Sequence, residues 1–594
     1  MTSSIVRVVF ALVAAAAVAG CKRDGGPEDS AAKTAARPGG AAAAKPGATA
    51  ATSGAKRGAE DGSNPAQFEN ATSSEEARDH FRRGMIALHS FWYDEASTQF
   101  EAAIAADRGF AMAYWGLAMS KSKLLWGDDD LAGGRRALSL MPPSSGLPAR
   151  EKMWVAAVRA LFGDGNVHSS RLAFAAAMEK IYATYPDDES TTFLAVALLA
   201  TTRAEDPAGD PIRARAAQLA QSVYRRNPEH PGAAHYLIHA WDTPASAHLA
   251  LKMARTFAAN APEAFHARHM PAHIFGRLGL WKEAVASCQS AWDASVTWAK
   301  RSKLSADHHD FHSLNWIIEM SFERGRRADA DAAMAIFSDA VKQGLTRQNR
   351  TGYAKQVVSY LVRTGEWKRV DELLAPLGSP ATDETPGGSG AGTCAAHAAQ
   401  PPQSSQPPFE LLERRAVVNV RVRAAAMRRD PALTRRMLAE RAEVDRLLTP
   451  FYVSAQGQAY VTKLDQDRAV SDAAMMARAR GDDRALLEPL GKLAEAAKAE
   501  FAAEGTAGGV LAPEEVADAL LRLRRPADAL AAYQSVLAQH QGRAHSLLGG
   551  ARAATQAGDA ATARSLYQQL LEVWSEADKD TPGLAEARKA VAGG

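Results

Sequence analysis

Two short stretches of this chain could do chemistry. "HYLIHAWD" runs from His235 to Asp242, and "HMPAHIFG" runs from His269 to Gly276. Each holds two histidines four positions apart, and the second pair follows the first by 34 residues. Positions i and i+4 of a helix share a face, so each pair presents two imidazoles side by side. Two such pairs on neighbouring helices, His235 with His239 and His269 with His273, would aim four imidazoles at one point. Zinc, nickel and copper all accept imidazole nitrogen, with Zn–N near 2.0–2.1 Å. Asp242 and Glu319 would serve as ligands or as acceptors behind the rings. Ten of the chain's 16 histidines lie between His230 and His312, which is more clustering than scatter provides. His308 and His309, in "ADHHDFH", would extend the set.

Three readings of this cluster stand side by side. It is a metal site; or it is a polar surface that binds a peptide or small ligand; or it is a buried network in which neutral imidazoles donate to backbone carbonyls. Paired histidines are a weaker signal than the HExxH of a metalloprotease, which the chain lacks. It also has no Walker loop, no GxSxG and no dinucleotide fingerprint, so no catalytic residue is assigned. "GDDD" (127–130) lacks the spaced ligands of a calcium loop and reads as a solvated turn. Lys+Arg 70 against Asp+Glu 67 leaves no concentrated cationic face, which argues against nucleic acid as a partner.

The elements that must carry these residues are helices. In "DEASTQFEAAIAAD", "RLAFAAAMEKIYATY" and "AEAAKAEFAAE", apolar residues recur at three- and four-residue intervals, without strand-like alternation. Large apolar residues are almost missing from 22 to about 75 and again over 377–408, so neither segment can bury enough surface to order itself. The first is a disordered tether; the second is a disordered internal loop, which includes Cys394 and His397. Cys288 reads as a small core residue. Trp92, Tyr93, Tyr114, Trp115 and Trp126 read as interhelix packing.

The helical pattern repeats. Ala529 and Tyr533 recur as Ala563 and Tyr567, and Pro228 recurs as Pro262, each 34 residues on. Gly84, Ala96, Phe100 and Ala103 take the small and aromatic positions of one unit. Gly279, Gly325 and Gly365 mark turns between paired helices, at spacings of 46 and 40 that imply insertions. This pattern resembles the tetratricopeptide repeat (TPR) family, in which each unit is a helical hairpin and stacking makes an extended array. The resemblance implies an all-α, TPR-type α-solenoid. It also implies that the first helices of successive units line a concave groove. On the family's register His235, His239, Asp242, His266, His269, His273, His312, Asn315 and Glu319 all fall on that stripe. More narrowly, "FWYDEA", "HYLIHAWD" and "HMPAHIFGRLGLWKEA" are similar to a group of bacterial TPR proteins, a resemblance that implies a fold and a compartment but no reaction.

The N-terminus reads as an address. "VVFALVAAAAVAG" (Val8–Gly20) is apolar but too short to span a bilayer, and it follows a short, weakly basic start, as in a secretory signal. "VAGC" resembles the bacterial lipobox, which implies cleavage before Cys21 and its acylation. Each buried acyl methylene would contribute about 0.8 kcal/mol to anchoring. Lys22, rather than aspartate, follows the cysteine, and the family pattern then implies the outer membrane. The expected organisation is a signal peptide at 1–20, a tether at 21–75, a TPR-like array at 76–376, a linker at 377–408 and a second helical segment at 409–594. The expected role is that of a lipid-anchored envelope protein that binds a partner protein or peptide in its groove. The alternative is a metal-binding protein, or a metal-dependent hydrolase, that uses the histidine cluster.

Overall fold

The computed structural model describes residues 72–125, 129–163, 167–202, 209–259, 261–379, 381, 407–456, 458–504 and 512–592. Cys21, Trp126, Cys394 and His397, with the signal peptide and nearly all of the tether and linker, lie outside the described residues. Within them the fold is all-α, with no strand. No described helix is long and apolar enough to cross a membrane.

The helices stack in sequence order as TPR-type hairpins. In the first unit, Glu75–His89 packs antiparallel on Tyr93–Ala106, and both meet Ala111–Met119 of the next unit. The physical reason is the size of three residues. Phe100 is fully buried, and its ring fills the space that side chains on two neighbouring helices would take. A Cβ on Gly84 would come within 2.7 Å of that ring, and one on Gly116 within 2.3 Å. Tyr533 does the same at Gly549, where a Cβ would lie 2.4 Å away. One large ring opposite two glycines thus sets how closely the helices approach, as the sequence pattern requires. Trp92, Tyr93, Tyr114 and Trp115 are buried in this packing, as is Cys288.

Several hairpins turn through a left-handed residue. Gly279, Gly325, Gly365 and Gly558 have φ of +69°, +66°, +71° and +82°, the conformation that glycine adopts without cost. The first unit differs. Phe91 takes that position with φ +55°, a strained backbone for a bulky residue.

Helices on both sides of residues 377–408 pack together, since Phe409–Met427 lies against Arg347–Thr364. The last hairpins then return to the turns beside the histidine helices. Trp281 Nε1 donates to the Gly542 carbonyl at 2.8 Å, and Trp574 Nε1 to that of Glu323 at 3.0 Å. Asp578 N donates to the Gly325 carbonyl at 3.0 Å. Under these contacts Arg543 is buried with Glu514 at 2.8 Å and Glu323 at 3.5 Å. The expected solvated turn at 127–130 is corrected where it is described. Asp129 is paired with Arg171 at 3.1 Å and with Ser122 Oγ at 2.9 Å, and Asp130 caps the Leu131–Leu140 helix.

Candidate metal centre

Four helices position the histidines. His230 caps Pro231–Trp241 through its own ring, because Nδ1 accepts from the amides of Gly232 and Ala233. That helix carries His235 and His239. Phe265–His269 and Pro271–Arg277 follow one another across Pro271, which has no N–H to donate. The backbone at Met270 stays right-handed helical, so His269 and His273 keep a common face. Phe311–Glu323 carries His312 and is capped by Asp310.

The side chains meet as two sets of three. In the first, His235 Nε2 and His239 Nε2 are 3.1 Å apart, and His266 completes a group whose nitrogens all lie within 4.8 Å. In the second, His269 Nε2 stands 3.1 Å from His273 Nε2 and 3.1 Å from His312 Nε2. Three imidazoles on a tetrahedral zinc ion would place their nitrogens about 3.3 Å apart.

The protons can be followed from the outside inward. His235 Nδ1 is 2.6 Å from the His89 carbonyl, which can only accept, so the hydrogen is on Nδ1 and the lone pair on Nε2. His273 Nδ1 donates to Asp242 Oδ2 at 2.9 Å, with the same result. Ser313 Oγ gives its one proton to Asp310 Oδ2 at 2.5 Å, so it must accept from His269 Nδ1 at 2.9 Å. His269 and His273 as neutral rings therefore turn bare lone pairs toward each other at 3.1 Å. Two lone pairs at that distance repel unless a proton or a metal ion lies between them. Burial disfavours the proton. Desolvation, and then the neighbouring imidazoles His312 and His273, hold His269 well below its ordinary 6.5. Desolvation pushes His235 down to about 3, against the opposing hydrogen bond that its Nδ1 donates to the His89 carbonyl. His239 and His266 are held well below 6.5 by burial first and by His235 next.

A third set, His89, Glu189 and His230, is similar in composition but settled in its protons. His230 Nδ1 accepts from two amides, so Nε2 carries the hydrogen and faces Glu189 Oε1 at 3.4 Å. His89 Nε2 meets Glu189 Oε2 at 2.9 Å, and Tyr236 OH meets its Nδ1 at 2.9 Å. The carboxylate accepts from His89 and faces the N–H of His230, and the set needs no cation. It fixes His89, whose carbonyl orients His235.

The structure therefore brings together six of the residues expected on the stripe. They lie largely inside the molecule. His235, His269 and His273 are 0%, 1% and 8% exposed; His239 and His266 are half-buried, and His312 reaches solvent. Asp242 stands behind a ligand rather than among the ligands, shared by His273 and Arg277 Nε at 2.7 Å. Glu319 is elsewhere, bonded to Gln356 at 2.8 Å and facing Arg363 at 3.6 Å. Asn315 is half-buried one turn after His312, and its Oδ1 has no hydrogen-bond partner among the described residues. His308 and His309 pack on Trp298 and Trp292 and do not join either set. A surface cavity of about 480 Å³ lies apart from the histidines, lined by mixed charges that include Arg347, Asp371, Glu410 and Arg414.

Sequence reasoning missed His89, Phe91, Asp310 and Ser313. His89 lies 146 residues from the ring it orients, a distance across which no local pattern points. Phe91 left a faint signal, as a bulky residue at a turn where Gly279, Gly325 and Gly365 stand in other units. Its ring packs on His235, His239 and His266 with centroids 4.4, 5.5 and 5.7 Å away.

No family model matches the chain, and no curated protein matches it. Among solved structures, the TPR domain of P58(IPK) is similar over 68% of this chain and 99% of that chain, with 15% identity and a TM-score of 0.21. The APC/C hetero-tetramer Cut9–Hcn1 is similar over 76% and 90%, with 11% identity and a TM-score of 0.23. Naa15/Naa10 bound to HypK-THB is similar over 88% and 92%, with 10% identity and a TM-score of 0.24. Scores this low carry no argument of their own, and the fold rests on the helix packing described above.

Proposed function

We propose that this chain is a TPR-type α-solenoid of the bacterial cell envelope whose central repeats hold a transition metal ion. One observation carries the reading. His269 Nε2 stands 3.1 Å from both His273 Nε2 and His312 Nε2, while the outer nitrogens of His269 and His273 are committed to Ser313 and Asp242. The rings of His269 and His273 then act as neutral imidazole donors with their orientation held from behind, as metal-ligating histidines are. Three nitrogen ligands leave a coordination position open, which suits binding of a small oxygen ligand. The lipobox-like "VAGC" supports a lipid anchor at Cys21, and with it a location at the outer membrane facing the periplasm.

The test is elemental analysis of the chain purified without a histidine tag or chelator, beside His269→Gln. At least one zinc, nickel or copper ion per chain, lost in the variant, is expected. A folded wild-type protein that takes up none of these ions after chelator stripping and reconstitution would sink the reading.

The second reading is a protein or peptide partner in the envelope, held on the curved face of the repeat array. What favours it is the array itself, because stacked hairpins make extended binding surfaces. Cross-linking of the anchored protein with and without chelator separates the two, since a docking surface of this kind should keep its partner when metal is removed.

A further inference from the structure

An ion on His269, His273 and His312 would join two stretches of chain, and the last hairpins clasp the ends of the same two. His269 and His273 sit on Phe265–His269 and Pro271–Arg277, and His312 on Phe311–Glu323. Pro271–Arg277 runs into the Gly279 turn. There Gln541 lies so close that a Cβ on Gly279 would come within 2.6 Å of its carbonyl oxygen. Phe311–Glu323 runs into the Gly325 turn, whose carbonyl accepts from the Asp578 amide at 3.0 Å and from Thr581 Oγ1 at 2.8 Å. The Glu323 carboxylate accepts from the Ala544 amide at 2.7 Å. Glu576 spans both turns, paired with Lys282 just after the first and, at 2.7 Å, with Arg324 in the second. Arg277, two residues before Gly279, also holds Asp242 behind His273.

The clasp is largely polar, and the apolar cores on its two sides are separate. Leu547, Leu566, Leu570, Trp574 and Leu584 belong to the core of the last hairpins, while Ile274, Trp281 and Ile318 belong to that of the histidine units. Half-buried Val573 packs on both. Parts joined mainly through polar contacts can separate and rejoin without uncovering a core. Resting on the metal-site reading above, we propose that metal binding and this closure are coupled: an ion on His269, His273 and His312 keeps the last hairpins docked, and its loss releases them from the turns at Gly279 and Gly325. The argument is one of spacing. Metal–imidazole bonds near 2.0–2.1 Å allow little play, so the ion fixes how Pro271–Arg277 and Phe311–Glu323 stand to each other. Without it, the facing lone pairs of His269 and His273 push apart the short helices on either side of Met270, and the second of these leads to Gly279. The last hairpins reach both turns at once only when the two are held at one spacing. Each event therefore favours the other, and by the same factor.

The experiment is amide hydrogen exchange on the full chain, loaded with zinc and, separately, stripped with chelator. The amides of Ala544 and Asp578 both donate across the closure. Zinc is expected to slow their exchange by roughly 5- to 150-fold, the usual range of coupling between two sites. The amide of Leu570, inside the Ala560–Val573 helix, should slow much less. Conversely, Glu576→Gln with Asp578→Asn removes two carboxylates of the closure and leaves every imidazole in place. That double variant should bind zinc more weakly by roughly fivefold or more. If the parent chain binds no zinc, the metal-site reading itself fails. Zinc that binds yet leaves Ala544 and Asp578 exchanging as in the stripped chain, or slows Leu570 equally, keeps that reading and overturns the coupling. So does unchanged zinc affinity in a double variant whose Ala544 amide exchanges faster than the parent's. Exchange with and without zinc is compared on the parent chain, so the coupling is decided even where the variant does not fold.

Discussion

Phe91 shows most directly how one residue serves the site. It occupies a left-handed turn that other hairpins give to glycine, at a cost of about 1–2 kcal/mol. In return its ring is buried against three of the six imidazoles. Phe91→Gly relieves the strain and deletes the ring. A buried phenyl contributes about 3–5 kcal/mol relative to alanine, so the net expectation is a loss of about 2 kcal/mol in denaturant unfolding. A variant as stable as the parent would show that the ring contributes no packing there. Asp310 is the second such residue. It caps a helix and, through Ser313, settles which nitrogen of His269 carries the proton. Asp310→Ala should lose about 1 kcal/mol for the cap and should weaken metal binding as well. Loss of stability with metal affinity intact would confine Asp310 to capping.

At the scale of elements, the imidazoles are placed by how closely the hairpins approach, and that spacing is set by pairs such as Phe100 with Gly84 and Gly116. Gly116→Ala puts a methyl into the ring of Phe100. Overpacking of this kind costs about 1–3 kcal/mol. The expected outcome is a lower unfolding midpoint in urea, partly recovered by adding Phe100→Leu, which makes room. No recovery in the double variant would mean that Gly116 is needed for its backbone rather than for its lack of a side chain. The helical periodicity, the recurring glycines and the 34-residue spacing make this arrangement legible in sequence, because local packing of neighbouring hairpins repeats locally.

At the scale of the whole molecule, the last hairpins close onto the turns beside the histidine helices. Burial pushes Glu514 up, but the Arg543 guanidinium outweighs it and holds the carboxyl well below its ordinary 4.5. Glu323 is likewise raised by burial and lowered further by Arg363 and Arg543. For carboxyls depressed in the folded state, the stabilisation is present above about pH 4.5 and is lost as pH falls toward the folded value. Thermal stability should therefore fall on acidification below about pH 4.5. Glu514→Gln should cost about 3 kcal/mol at neutral pH, because it leaves Arg543 buried with less compensation, and it should flatten the acid limb. An unchanged acid limb in that variant would place the acid sensitivity elsewhere in the molecule. None of this closure was readable in advance. Glu323 and the Ala544 amide that it accepts from are 221 residues apart, and charge pairs at such separations leave no periodic trace.

The all-α class and the hairpin repeat were legible in the residues alone, and the resemblance to TPR units then put His235, His239, His266, His269, His273 and His312 on one stripe. Those follow from helical periodicity and from a unit that recurs, both of which are local. Contacts between distant helices divide the six imidazoles into two sets of three, put Glu319 in a different network and bury most of the stripe. They also decide which nitrogen of each anchored ring faces inward. That choice is made by His89, Asp242 and Ser313, groups brought up by other helices, and a proton goes where its acceptor stands in space.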